Sequence, residues 1–290
     1  MDAFLVVMSQ RVWLVTGCSS GLGEEFVRQI LSRGDQVIAT ARKLETLKSL
    51  EEAGAVILQL DVTDNQLLIQ ETVDKAISIH GRIDVLVNNA GFITSGSWED
   101  LEPEQLLAQF DTNVFGTMRV TRAVLPHFRQ RRSGTMVFIS SLSGWIGHPF
   151  VGAYAGSKFA LEGLVESLSK ETAHLGIKTL LIEPGRFRTK LLSTSNLSAV
   201  PTKVPEYAEA SSALHQHLAE EDQKQDGDAS KAIKVILDLV RREGCAEGRD
   251  VPFRLPLGPD CFTEMKEKCE ETLRVLEDWK PVITGTNFEE

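Results

Sequence analysis

A doubly wound α/β fold, with a mainly parallel sheet covered by helices on both faces, is predicted by three observations. Short apolar, β-branched runs alternate with helical segments through the first two thirds of the chain. The runs are apolar throughout, as strands buried on both faces require. A glycine-rich turn joins the first run to the first helix, the arrangement that binds phosphate in such folds.

Residues 11–16 form the first predicted strand. The turn Gly17-Cys18-Ser19-Ser20-Gly21-Leu22-Gly23 follows, then a helix to about Arg33 that Gly34 ends. Further strands are expected at 36–40, 55–60, 84–88, 135–140 and 178–183, with a late one near 251–255. Between residues 187 and 226 the chain turns polar, carries Pro201 and Pro205, and is too long for a simple connection. It reads either as a disordered insertion or as a lid over a substrate, and its place just after the sixth strand favours the lid. A helix over 228–242 comes next. A helical tail over 259–279 turns Lys266, Glu267, Lys268, Glu270 and Glu271 outward, and residues 284–290 are expected to fray. No internal repeat is visible. The organisation expected is one Rossmann-type domain over 1–290, with a 1–10 N-terminal extension and a 259–290 C-terminal extension.

The composition excludes several function classes. Of 290 residues, 42% are hydrophobic and 25% charged, which is ordinary for a soluble globular chain. The net charge of −10 argues against a nucleic-acid or anionic-membrane surface. No segment is long enough for a membrane span. The apolar patch at residues 3–8 lacks a basic flank and a cleavage site, so it is no convincing signal peptide. Met8 is an alternative start. Cys18, Cys245, Cys261 and Cys269 have no metal-site spacing and read as reduced thiols, hence a cytoplasmic location and no metal.

The glycines have separable jobs. Gly17 permits a tight turn, Gly21 lets backbone approach a pyrophosphate, and Gly23 lets the helix sit close to the strand. The helix N-terminus adds N–H groups and a positive dipole end. A glycine turn without a ligand is the bland alternative, but strand and helix flank this one correctly. Farther on, Tyr154 and Lys158 stand four residues apart, on one face of a helix. A phenol holds its proton to about pH 10, and a neighbouring ammonium lowers that value. The pair therefore offers acid–base chemistry near neutral pH. Alone, such a pair is an ordinary surface neighbour; its company gives it meaning.

That company is Thr16 to Gly23, Asn88-Asn89-Ala90-Gly91, Asn113, Ser141, Tyr154, Lys158 and Pro184-Gly185. In that order these residues resemble the signature of the short-chain dehydrogenase/reductase family, over about residues 11–189 and extending toward Gly258. Residues 16–21, 39–42 and 154–163 look most like its 17β-hydroxysteroid-dehydrogenase-like branch. The resemblance implies Tyr154 as catalytic acid or base. It implies Lys158 lowering the phenol pKa and bonding the nicotinamide ribose. Ser141 would steady the substrate oxygen, with Ser140 and Ser143 as competitors. Asn113 would mark a helix break and hold a water linked to the lysine. Gly17, Ser19, Ser20, Gly21, Leu22 and Gly23 would form the phosphate turn. Asp61 and Val62 would flank adenine, and a helix cap is the alternative for Asp61. Asn88, Ala90 and Gly91 would leave room for the adenosine ribose, although Asn88 can equally be structural. Pro184, Gly185 and Thr189 would meet the carboxamide. A homodimer or homotetramer is implied as well.

Cofactor choice is read at the end of the second strand. Ala41 stands where NAD-type sites carry an acid, and Arg42 follows, which favours NADP(H) over NAD(H). Phe92, Leu142, Trp145, His148, Phe150 and Phe187 are expected to line an apolar pocket for a bulky ketone or alcohol. An NADPH-dependent carbonyl reductase or alcohol dehydrogenase follows. A non-redox epimerase or dehydratase and a non-catalytic dinucleotide sensor are the rival readings.

Overall fold

The computed structural model describes residues 10–288. The expected apolar patch, the Met8 start and most of the 1–10 extension lie outside the described residues.

The first part of the chain builds one edge of the sheet outward from its centre. Strand β1 (Val12–Val15) leads into α1 (Gly21–Ser32), and β2 (Gln36–Ala41) follows. Gly34 sits at φ +78°, so the turn that ends α1 needs its missing side chain. A short α2 (Lys48–Glu52), β3 (Val56–Gln59) and α3 (Gln66–His80) complete this part. Asn65 caps α3 by accepting from the N–H groups of Leu67 and Leu68 at 3.0 and 3.1 Å.

The chain then crosses back to pair β4 (Val85–Asn88) with β1. After β5 (Ile93–Ser95), α4 (Pro103–Phe110) and α5 (Thr117–Arg131) run almost as one helix, joined by a π-helical turn over Asp111–Gly116. Then come β6 (Gly134–Ile139), α6 (Gly152–Thr172) and β7 (Ile177–Pro184). The seven-stranded sheet has the order β3-β2-β1-β4-β6-β7-β9, and every pairing is parallel. The order reverses between β1 and β4, which opens a crevice at the carboxyl ends of those strands. Alternate residues of β1 enter opposite cores. Trp13 and Val15 pack against Phe26, Val27 and Ile30 of α1, whereas Val12 and Leu14 pack with Ile69 of α3 and Val124 of α5.

The segment 187–226 is folded rather than disordered. It contains β8 (Leu197–Ala199), which pairs with β5, and α7 (Ala208–Glu221). Its two ends meet: Phe187 bridges Gly227, and the Arg188 N–H donates to the Gly227 carbonyl at 2.8 Å. Helix α8 (Ala229–Arg241), capped by Asp228, follows. The late strand is β9 (Arg254–Leu257), later than expected. It is the edge strand, so Pro256 within it leaves only one side unbonded. The tail forms α9 (Pro259–Asp278) and α10 (Lys280–Thr284). Lys268 departs from the expected outward set: it is half-buried, with its ammonium 5.0 Å from the Phe159 ring. All four cysteines are unbridged, and no described helix is long and apolar enough to cross a membrane.

Packing is close where β6 begins. A Cβ on Gly134 would lie 2.3 Å from the buried Phe128 ring. Gly134→Ala should therefore lower unfolding stability by about 1–3 kcal/mol, measured by denaturant unfolding; an unchanged midpoint would contradict the packing.

Candidate active site

Two cavities open at the carboxyl ends of the strands. The first, of about 340 Å³, runs over the glycine turn and between β1 and β4. Gly17 and Gly21 adopt φ of +70° and +61°. A Cβ on Gly17 would meet Ala90 Cα at 2.8 Å, and one on Gly23 would meet the Gly17 carbonyl oxygen at 2.2 Å. Only glycine allows these approaches. The space left beside backbone N–H groups at the start of α1 fits a dinucleotide pyrophosphate.

The structure brings most expected residues to this crevice. Ser19, Ser20, Gly21 and Leu22 form its floor, and Arg42, Asp61 and Val62 stand at one end. Ala90, Gly91, Pro184, Gly185 and Thr189 line the other side. Asp61 is not the helix cap; its carboxylate accepts from Thr63 N–H and Oγ1 at 2.9 and 2.7 Å. Gly23 acts beneath the surface, through packing.

Asn88 takes the structural alternative. It does not line the crevice; it is buried and donates to Thr121 Oγ1 at 3.0 Å. Strand alternation turns the next residue the other way. Asn89 lines the crevice and donates to the carbonyls of Thr16 and Gly17 at 2.9 and 3.0 Å. Thr16 Oγ1 accepts in return from the N–H groups of Asn89 and Ala90.

The second cavity, of about 410 Å³, adjoins the first and shares Ser141, Tyr154, Gly185, Phe187 and Leu191 with it. Leu142, His148 and Phe150 line it as expected. His148 Nε2 lies 3.0 Å from Glu264 Oε2. Two aromatic assignments change. Phe92 lines the first cavity and not the second. Trp145 lines neither; its indole N–H donates to Glu183 Oε1 at 2.8 Å beneath the site. The roof comes from the expected lid segment, through Ala210, Leu214 and Leu218 of α7, residues the sequence did not single out. Their i, i+4, i+8 spacing is the signal that marks this face.

Tyr154 and Lys158 leave α6 one turn apart, and the ammonium lies 5.7 Å from the phenol ring centroid. Both are buried, at 7% and 6% exposure. Lys158 Nζ donates to the Ile139 carbonyl at 2.8 Å. Burial holds the Tyr154 phenol above its ordinary value, with a hydrogen bond to Ser141 acting the other way. Burial also lowers Lys158 to about 8, opposed by the Glu162 carboxylate. Burial is thus the largest influence on both groups, disfavouring the charged form of each. Ser141 Oγ accepts from the Ser143 N–H at 3.1 Å. Ser140 lines only the first cavity, and its buried hydroxyl has no partner.

Asn113 sits in the π-helical turn, where the expected helix break falls. Its side chain is committed: Oδ1 accepts from Phe92 N–H at 3.2 Å, and Nδ2 donates to the Phe92 carbonyl and Ser157 Oγ at 3.1 and 3.2 Å. No cluster of possible metal ligands occurs among the described residues.

A short chain dehydrogenase family model matches residues 11–199. The chain is 35% identical over 275 residues to oxidoreductase BOA17 of Botryotinia fuckeliana (strain B05.10), covering 93% of this chain and 97% of that one. It is 38% identical over 199 residues to 17-beta-hydroxysteroid dehydrogenase type 1 of Homo sapiens, over 64% of this chain and 59% of that one. A solved short-chain dehydrogenase from Streptomyces avermitilis aligns with a TM-score of 0.86 at 37% identity, covering 96% and 99% of the two chains.

The Lys158 environment has a measurable consequence. Between pH 8 and 10.5 the unfolded lysine keeps a proton that the folded one has lost, so this group makes stability rise with pH. Below pH 8 its cost is constant. The displacement from 10.5 to about 8 corresponds to roughly 3 kcal/mol. Lys158→Met should be more stable than the parent below pH 8, and that advantage should shrink as pH rises to 10.5. Guanidinium unfolding of both proteins across this range reads the difference; a pH-independent gap would contradict it.

Proposed function

The chain belongs to the short-chain dehydrogenase family, and from that premise we propose that it is an NADPH-dependent oxidoreductase acting on a bulky apolar ketone or secondary alcohol. The observation that carries this reading is the junction of the two cavities at Ser141 and Tyr154. One cavity has a glycine-turn floor suited to phosphate. The other has a leucine-rich wall and an aromatic rim suited to a greasy substrate.

Bound nicotinamide supplies the hydride donor or acceptor, which is the difficult part of the reaction. The chain supplies position and protons. Tyr154, kept protonated by burial, donates to the carbonyl oxygen during reduction. Ser141 bonds the same oxygen and steadies its developing charge. Lys158 holds the ribose hydroxyls from the floor beside Tyr154 and returns positive charge to the phenol. Pro184, Gly185 and Thr189 orient the carboxamide. Asn113 keeps the π-helical turn in shape behind Lys158. Segment 187–226 serves as the lid, with the α7 leucines closing over the substrate and excluding water.

Arg42 supports the choice of NADP(H). It is exposed at the end of the first cavity, directly after Ala41. A guanidinium there forms charge-assisted bonds to a 2′-phosphate, and no acid repels that phosphate at Ala41. The resemblance to a hydroxysteroid dehydrogenase supports a rigid, lipophilic secondary alcohol or its ketone as the substrate class.

Two measurements test the reading. Tyr154→Phe should lower kcat by about 10²–10⁴-fold, followed by nicotinamide absorbance with a lipophilic-ketone panel, while NADPH still binds. Undiminished turnover would remove Tyr154 from the chemistry. Arg42→Ala should weaken NADPH by about tenfold or more and leave NADH nearly unchanged; equal losses would defeat the cofactor assignment.

A further inference from the structure

Behind the site lies a buried pair of carboxyl groups that the proposed chemistry does not use. Glu162 stands one helical turn after Lys158 on α6, and Glu183 precedes Pro184, the last residue of β7. They are 5% and 0% exposed. One guanidinium serves both: Arg254 Nη2 lies 2.9 Å from Glu162 Oε2, and Arg254 Nε lies 2.8 Å from Glu183 Oε1. The Trp145 indole donates to Glu183 Oε1 and lies 5.2 Å from the guanidinium, closing one side. Glu162 Oε1 and Glu183 Oε2 have no other donor. A Cβ on Gly144 would sit 2.8 Å from Glu162 Oε1, so little space remains for water.

Two buried carboxylates cannot both stay ionised beside one guanidinium, since their repulsion in a water-poor site is severe. Glu162 Oε1 and Glu183 Oε2 are each buried without a hydrogen-bond partner, and a carboxyl can donate to its neighbour only when protonated. Burial, and then the charge of Glu162, raises Glu183 to about 8. On the other side, Glu162 is the anion that opposes the desolvation of Lys158.

We propose that Glu162 and Glu183 are positioning residues for Lys158: a carboxyl pair that holds one proton between its members under the Arg254 clamp, and whose remaining negative charge keeps the lysine cationic. The inference rests on the reading of Lys158 as the cation of the site. Other charges facing the lysine are accounted for locally. Tyr154 shares its helix, and Asp111 of the π-helical turn is paired with Arg119 at 2.7 Å. Glu166, two turns on, is 43% exposed and reaches Arg254 only at 3.7 Å. From α9, Lys268 lies over Phe159 and Glu264 meets His148. Strand β6 contributes the Ile139 carbonyl.

The test needs neither substrate nor nicotinamide, so its failure leaves the redox reading standing, and failure of that reading does not decide it. Acetic anhydride labelling of Lys158, followed by peptide mass spectrometry across pH, reports the lysine midpoint directly. In the parent it should lie near 8. Glu162→Gln keeps the shape and takes the charge off the helical turn next to Lys158, so the midpoint should fall by about one pH unit. Glu162→Asp keeps the charge and should leave it near the parent value. Infrared spectroscopy supplies the second measurement. The parent at pH 7 should show a protonated-carboxyl band that fades above pH 8 and is absent from Glu183→Gln. A parent without that band, a Gln variant with an unmoved midpoint, or an Asp variant shifted as far as Gln would overturn the proposal.

Discussion

The close approach of the first turn to the end of β4 is the constraint on which the rest of the molecule depends. Gly23 lies against the Gly17 carbonyl, Gly17 lies against Ala90, and Asn89 ties two carbonyls of the turn to the neighbouring strand. A hydrogen bond in such a place has a net worth of only about 0.5–1.5 kcal/mol. Sterics decide more than these bonds do. Any side chain at the two glycines would drive the turn from β4, and the crevice between the halves of the sheet would lose its floor. The parallel register of β1 with both β2 and β4 carries that constraint into the two hydrophobic cores.

Desolvation is the second theme. Water exclusion by itself leaves a neutral phenol beside a lysine that gives up its proton near pH 8. A neutral phenol suits proton donation, but a neutral amine cannot stabilise a phenolate. Any compensating charge must come from behind the helix, because the front of the site is the cavity itself. The acidic cluster around Arg254 occupies that position, directly under the turn that leads from β7 into Pro184 and Gly185. Acid strength at the front and charge balance at the back are thus properties of one packed region.

Much of this was legible in the sequence, for identifiable reasons. The central strands announced themselves as uninterrupted apolar runs because helices cover both their faces. The glycine turn and the Tyr154–Lys158 pair were readable because their spacing is set by backbone geometry. Strands β5 and β8, three residues each, carry too little periodicity to be seen. Asn88 and Asn89 are chemically identical neighbours, and only knowledge of which face meets α5 separates the buried one from the crevice one. Trp145 looked like a pocket wall because its partner, Glu183, reads in sequence as a strand residue and shows its buried carboxyl only in three dimensions. The α7 face was visible in principle, since Ala210, Leu214 and Leu218 repeat every four residues. Its meaning required the cavity it covers.

The bridge between Phe187 and Gly227 has a consequence for how such a molecule can change. A stretch whose two ends already touch is an excursion from the sheet and not a link within it. Lengthening it adds loop entropy only logarithmically, about 0.6 kcal/mol for each doubling. Ala210, Leu214 and Leu218, which line the second cavity, are therefore carried on an excursion whose length can change without breaking β7 or α6. The part of the excursion through Asn196 lines the glycine-turn cavity as well, so only the α7 part is free to vary independently of that cavity.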